Sequence, residues 1–262
     1  MVHEISGELA DALALRATPV RIFFRDDDGG WDDAALWALL DVFAAADAPV
    51  DVAIIPTEAD AVTIKGLRER RQQFGAMLGL HQHGLAHLNH ESTGRKQEFG
   101  PSRNAGQQLG DIALGQRILC GELGELLDPI FTPPWNRCTQ QTVDALRRLE
   151  LQGLSRDCTA IALDTTGLAR LDVQLDWEKS RAPFGFCATS LQARLTRLVS
   201  EFDQVGIMLH HARMAHADRE LLAHLLRLLS RHPMVRLCNM RSLFDSHRHD
   251  TGETNDATHA AA

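Results

Sequence analysis

Residues 20–30, Val-Arg-Ile-Phe-Phe-Arg-Asp-Asp-Asp-Gly-Gly, join a short apolar run to three consecutive carboxylates. The run Val20–Arg25 is rich in β-branched and aromatic residues and predicts a buried strand. The following Asp-Asp-Asp-Gly-Gly predicts a loop at its end. Just beyond, Asp32 or Asp33 is placed to cap a helix whose apolar stripe is Leu36, Leu39, Leu40 and Phe43. Strand followed by helix is the unit from which the rest of the fold is read.

That unit recurs. Strands are predicted at Val50–Ile55, Ala76–Leu80, Pro129–Thr132, Gly153–Arg156, Val205–His210 and Met234–Leu237. Helices are predicted at about 59–74, 106–123, 139–150, 189–202 and 217–231, and 90–105 reads as a long loop. Repeated β-then-α units imply a parallel sheet covered by helices, either a barrel or a doubly wound sheet. No repeat or linker divides the chain, so residues 1–245 are expected to form one domain and 246–262 a disordered tail.

Composition narrows the function classes. The chain has 262 residues, 44% hydrophobic, with a formal net charge of −8 and no block of Lys or Arg. A nucleic-acid footprint is not expected from that balance. No run reaches the roughly 18 apolar residues of a membrane span, and the first twenty residues do not read as a secretory signal. The five cysteines, at 120, 138, 158, 187 and 238, form no CxxC pair and are expected to be reduced thiols. The expected location is the cytoplasm.

Five polar clusters stand out, and three of them, the aspartates, the His83–His87 group and His210-His211, fall at the ends of predicted strands. Asp26-Asp27-Asp28 would repel one another, and a divalent cation would offset that repulsion. The same run also reads as an acidic turn. In the segment 81–90, His81, His83, His87 and His90 stand among ten residues. The spacing of His83 and His87 would put both imidazoles on one face of a helical turn, and neutral imidazole suits zinc. His81 reads as a third ligand or as a packed residue. Thr132-Pro133-Pro134-Trp135-Asn136-Arg137 offers a stacking ring, an amide and a cation. Asp176-Trp177 offers an orienting carboxylate and a pocket-lining indole. His210 and His211 end an apolar strand, where one of them would face a site and act in general acid–base catalysis.

Together these residues resemble the polysaccharide-deacetylase, or NodB-homology, superfamily of carbohydrate esterases, over most of residues 20–245. The resemblance implies a distorted or incomplete parallel (β/α) barrel of about seven strands. It implies a divalent metal, zinc by preference, on Asp28, His83 and His87, with Asp27 as base and His210 as acid. A shift of register to Asp26-Asp27 would move the base and ligand roles by one residue. His211 stands where the family has Asp, and Pro133-Pro134-Trp135-Asn136-Arg137 replaces the family's Arg-x-Pro. Arg25 or Arg137 would hold the base ionised, and Trp135, Asn136, Arg137, Asp176, Trp177 and His211 would line or support the site. The implied activity is removal of acetyl groups from an amino sugar or related carbohydrate. Two rivals remain: hydrolysis of a small amide at the same site, and sugar binding without catalysis.

Overall fold

A computed structural model describes residues 7–182, 185–186 and 188–244. The expected tail at 246–262 lies outside the described residues, as does Cys187. The fold is built around β1 (Val20–Gly29), which runs four residues past the apolar stretch and carries all three aspartates. Two later strands, Gln204–His210 and Val235–Leu237, pair with it in parallel. β2 (Val50–Ile54) pairs further along β1, on the flank that Val235–Leu237 occupies at its start and opposite Gln204–His210. The near-continuous apolar character of these strands follows from burial on both faces.

The sheet continues from β2 through β3 (Leu78–His83), β4 (Ile130–Thr132) and β5 (Gly153–Leu154), every pairing parallel. Next come two short strands, β6 (Ala169–Arg170) and β7 (Leu175–Asp176). An antiparallel pair, β8 (Arg181–Ala182) and β9 (Gly185–Phe186), stands apart from the sheet. The strands at 204–210 and 235–237 are then β10 and β11.

The neighbours run β6-β5-β4-β3-β2-β1-β10-β7. Because β6 and β7 are two ends of one extended segment, the sheet's two edges meet. Leu171 and Val173 donate to Leu154 and Arg156 on one side, and Gln174 and Trp177 donate to Gly206 and Met208 on the other. The result is a distorted parallel barrel, as expected, and counting β6–β7 once gives seven strand positions.

Helices cover the outside: α1 (Gly7–Ala14), α2 (Asp33–Ala45), α3 (Ala61–Phe74), α4 (Ala105–Leu123), α5 (Gln140–Arg148), α6 (Ala188–Glu201) and α7 (His216–Arg231). Asp32 accepts from Ala35 N–H to start α2, Asp60 caps α3, and Asn104 with Gln107 forms a capping box on α4. α1 has no counterpart among the predicted elements. Its Leu9 and Leu13 complete the core beside α6. Among the described residues no helix is long and apolar enough to cross a membrane.

Alternation along the strands sorts polar from apolar groups inside the barrel. Phe23, Ile130, Leu171, Val173 and Met208 pack as one buried apolar cluster with Met240 and Leu243. On β1 the same face that carries Phe23 next carries Arg25 and then Asp27. The barrel interior thus turns from apolar to charged towards the strands' C-terminal ends, where folds of this kind place their chemistry.

Candidate metal centre

Asp26, Asp27 and Asp28 have three separate fates. Asp26 points away from Asp27, and both its oxygens are taken by His211: Oδ1 accepts from the backbone N–H at 2.9 Å and Oδ2 meets Nδ1 at 2.7 Å. Both residues are fully buried. Burial pulls the His211 pKa down, but Asp26 and the Trp31 carbonyl outweigh it and raise it to about 9.

Asp27 lies inside the barrel against Arg25. Arg25 donates through Nε to Oδ1 at 2.7 Å and through Nη2 to Oδ2 at 2.9 Å. Ser155 Oγ (2.7 Å) and Asn136 Oδ1 (2.8 Å) fix the rest of the guanidinium. Burial pushes the Asp27 carboxyl up, yet Arg25, His83 and His210 together hold it below the usual range. Arg137 is not part of this pair; its Nη1 donates to the Lys96 carbonyl.

Asp28 breaks from strand geometry, with φ of 69°, where the β1–β2 register shifts. That left-handed turn swings its carboxylate away from the alternation. Oδ1 lies 3.3 Å from His83 Nε2 and 3.2 Å from His87 Nε2. The ligand atoms these three residues offer all lie within 4.8 Å of one another. Burial raises the Asp28 pKa, but the two imidazoles outweigh it and bring it to about 2.

The predicted helical turn for His83 and His87 is not what forms. The third strand starts and ends later than the predicted Ala76–Leu80, because Gly75–Met77 is a 3₁₀ turn, so His81 and His83 sit within β3. Gly84 (φ 59°) and His87 (φ 53°) then reverse the chain. The four-residue spacing works through this bend rather than through a helix. A Cβ on Gly84 would stand 2.1 Å from Glu98 Oε2 and 2.6 Å from Pro134 Cγ, so the bend requires glycine. Glu98, from the long loop, is buried and accepts from the backbone N–H groups of Leu85 and Ala86. It anchors the segment that presents His87.

The two imidazoles are oriented from behind. His83 Nδ1 lies 3.0 Å from the Thr132 carbonyl, which leaves Nε2 free to face Asp28. His87 is held between the rings of Trp31 and Trp135, with centroids at 4.8 and 4.4 Å. Burial lowers the His87 pKa to about 4, with the charge of His83 acting in the same direction. His81 does not join the cluster; its Nε2 meets Thr132 Oγ1 at 2.8 Å, and burial beside Arg25 lowers its pKa to about 3.

These residues fit a divalent cation. Asp28 Oδ1 is buried without a hydrogen bond between two imidazole nitrogens. One carboxylate and two histidines form a donor set suited to zinc-like ions, with room for further ligands. A carbonyl behind a ligating histidine is the usual supporting contact. Four of the seven described non-glycine residues with positive φ are Asp28, His87, Trp135 and Asn136, and such backbone gathers at functional sites.

His210 ends β10 in register with Asp27, and its Nδ1 is buried with no hydrogen bond among the described residues. Of the two terminal histidines it is the one whose charge reaches Asp27 and Asp28, whereas His211 is tied to Asp26. Asp176 does not reach it: the carboxylate pairs with Lys179 at 2.9 Å. Trp177 does not line a pocket either, since it is 1% exposed within the main core beside Leu175 and Leu209. His90 lies 2.8 Å from Arg103 Nη1, away from the cluster. Glu98, Thr132, Ser155 and Trp31 were not among the predicted site residues. Thr132, next to the Pro-Pro-Trp turn, and Trp31, directly after Asp-Asp-Asp-Gly-Gly, adjoined a recognisable signal.

Solved structures with this architecture include carbohydrate esterases of family 4. A Mycobacterium smegmatis protein assigned as a polysaccharide deacetylase superposes with a TM-score of 0.67 at 14% identity, over 95% of this chain and 96% of its own. A family 4 acetyl xylan esterase from Clostridium thermocellum, solved with a cobalt ion, gives 0.58 at 14% identity over 86% and 91%. A mutant of a family 4 pseudoenzyme with restored activity gives 0.55 at 12% identity over 87% and 68%. No protein-family model and no curated protein matches the chain. The chain has the fold of the polysaccharide-deacetylase superfamily.

Proposed function

We propose that this protein is a metal-dependent hydrolase that removes N-acetyl or related acyl groups from an amino sugar or similar carbohydrate. The observation that carries the proposal is the buried Asp28 oxygen between two oriented imidazoles, with an ionised carboxylate and a histidine beside it. Asp28, His83 and His87 would hold the ion, zinc being the best match to the donors. A bound divalent cation would supply Lewis acidity to the acyl carbonyl and to the attacking water.

The chain's own residues provide the proton transfers. Asp27 accepts a proton from the water as its oxygen adds to the acyl carbon. The low pKa that Arg25 helps to impose keeps it ionised throughout the neutral range. Asp26 is committed to His211, which favours Asp27 as base over the shifted register. As the C–N bond breaks, His210 donates a proton to the departing nitrogen, which leaves as an amine. The products are the free amine and a carboxylate. Trp135 packs against His87 in a tilted contact, and its indole is a ring suited to a sugar face.

Elemental analysis with an amine-release assay on acetamido sugars tests the proposal. About one metal per chain and released amine are expected, and the His83→Ala/His87→Ala double variant should lose both. The non-catalytic alternative draws support from the pseudoenzyme among the similar structures, since the fold persists there in a chain whose activity had to be restored. Sugar binding without amine release from metal-loaded protein would favour it.

A further inference from the structure

Beside the metal centre lies a cavity of about 270 Å³ whose lining includes Arg95, Arg137, Arg156 and Lys179 but only one carboxylate, Asp157. The cavity and the metal centre share a wall. Trp135 and Asn136 line the cavity, while the Trp135 ring lies 4.4 Å from that of His87 and Asn136 accepts from Arg25.

The positive charge in this cavity is poorly offset. Lys179 pairs with Asp176 at 2.9 Å. Asp157 accepts from the Thr159 backbone N–H and hydroxyl through Oδ1, and its charge reaches Arg137, so it offsets one of the three guanidiniums and leaves two. Arg156 is 5% exposed, and among the described residues no carboxylate lies within ion-pair distance of it. Its Nη1 reaches only the Ile161 carbonyl at 3.2 Å and the Cys138 sulfur at 4.0 Å. Burying a cation without a counter-charge is costly, so such a group is best explained by an anion it meets in function. Among the described residues Arg137 has one hydrogen-bond partner, the Lys96 carbonyl, and burial together with the charge of Arg95 pulls its pKa down against the charge of Asp157. Three guanidiniums facing one cavity form a site for a planar or tetrahedral oxyanion.

We propose that this cavity binds an oxyanion of the substrate, a phosphate or carboxylate group carried by the same acetamido sugar whose acyl group meets the metal centre. The substrate is then an anionic sugar derivative rather than a neutral one. This inference rests on the hydrolase reading for its second half only; the anion site stands on the arginines.

The test has two arms. In the first, sulfate is titrated calorimetrically into the full chain and into the Arg95→Gln/Arg137→Gln double variant. Both positions are at least partly exposed, so the fold should survive, and melting curves check it. Wild type should bind one sulfate, and the variant should bind roughly 10- to 100-fold more weakly, the usual effect of losing hydrogen bonds to a charged group. No sulfate binding, or binding unchanged in the variant, would overturn the site.

In the second arm, kcat/KM is compared for a phosphorylated acetamido sugar, an acetamido uronate and the neutral acetamido sugar. One of the anionic sugars should be preferred by about 10-fold or more, with the preference lost in the variant. Which one is preferred identifies the group. Equal turnover of all three would overturn the substrate assignment. Turnover of none, alongside arginine-dependent sulfate binding, would refute the hydrolase reading and leave the anion site in place.

Discussion

Arg25 and Asp27, two residues apart on β1, form a two-pronged ion pair sealed inside the barrel, with Nε to Oδ1 at 2.7 Å and Nη2 to Oδ2 at 2.9 Å. Strand alternation puts both side chains on one face, and burial leaves neither an alternative partner in water. The carboxylate is thereby fixed in place and in charge. Substituting Arg25→Gln strands a buried carboxylate, and loss of one partner of such a pair costs about 3–5 kcal/mol. Denaturant unfolding should show that loss. The acid limb of the kcat/KM profile should also move to higher pH, because Asp27 loses the cation that depresses its pKa.

Glu98 acts at one remove. It ties down the backbone of Leu85 and Ala86, the two residues that precede His87. Glu98→Ala should weaken metal affinity about 10- to 100-fold, as losses behind a ligand usually do. A chelator-competition titration measures this. Affinity equal to wild type would show that the bend holds itself.

Gly84→Ala should disturb the same bend from the other side. The methyl group would meet Glu98 and Pro134 at contact distances far below van der Waals separation, at a φ of 59° that disfavours alanine. A cost of about 1–3 kcal/mol in unfolding free energy is expected, with weaker metal binding alongside.

The Asp26–His211 pair sets a pH dependence of stability. The pKa of His211 is raised from its ordinary 6.5 to about 9 in the folded chain. A raised folded-state pKa contributes stability that is complete below about pH 6.5 and is lost as pH rises through about 9. Unfolding free energies should therefore fall by on the order of 2–3 kcal/mol across that window. In His211→Gln this part of the decline should be missing, from a lower starting stability. A wild-type profile that stays flat from pH 6.5 to 10 would contradict the charged pair.

The sequence made β1, α2, β10 and α7 legible because each carries a long apolar run or a clear stripe, from Val20–Phe24 to Leu221–Leu229. The strand predicted at Gly153–Arg156 forms as the two-residue β5, but β6 and β7 are two residues each, too short for any periodicity, so the segment that joins the sheet's edges could not be anticipated. The residue types of the Asp28–His83–His87 cluster were legible as well, but the path between them was not. A spacing of four suggested a helix, whereas Gly84 and His87 close the gap through positive φ angles. Glu98 and Arg156 were invisible for a different reason. One sits in an aperiodic loop and the other past a two-residue strand, and only tertiary packing buries them.

Metal stoichiometry tests the whole scheme most directly. Purified wild-type protein and the Asp28→Asn, His83→Ala and His87→Ala variants are loaded with zinc, desalted and analysed for bound metal. Wild type should retain about one ion per chain, and each variant should retain far less while still folded. A wild type that retains none, or variants that retain as much as wild type, would contradict a cation held by Asp28, His83 and His87.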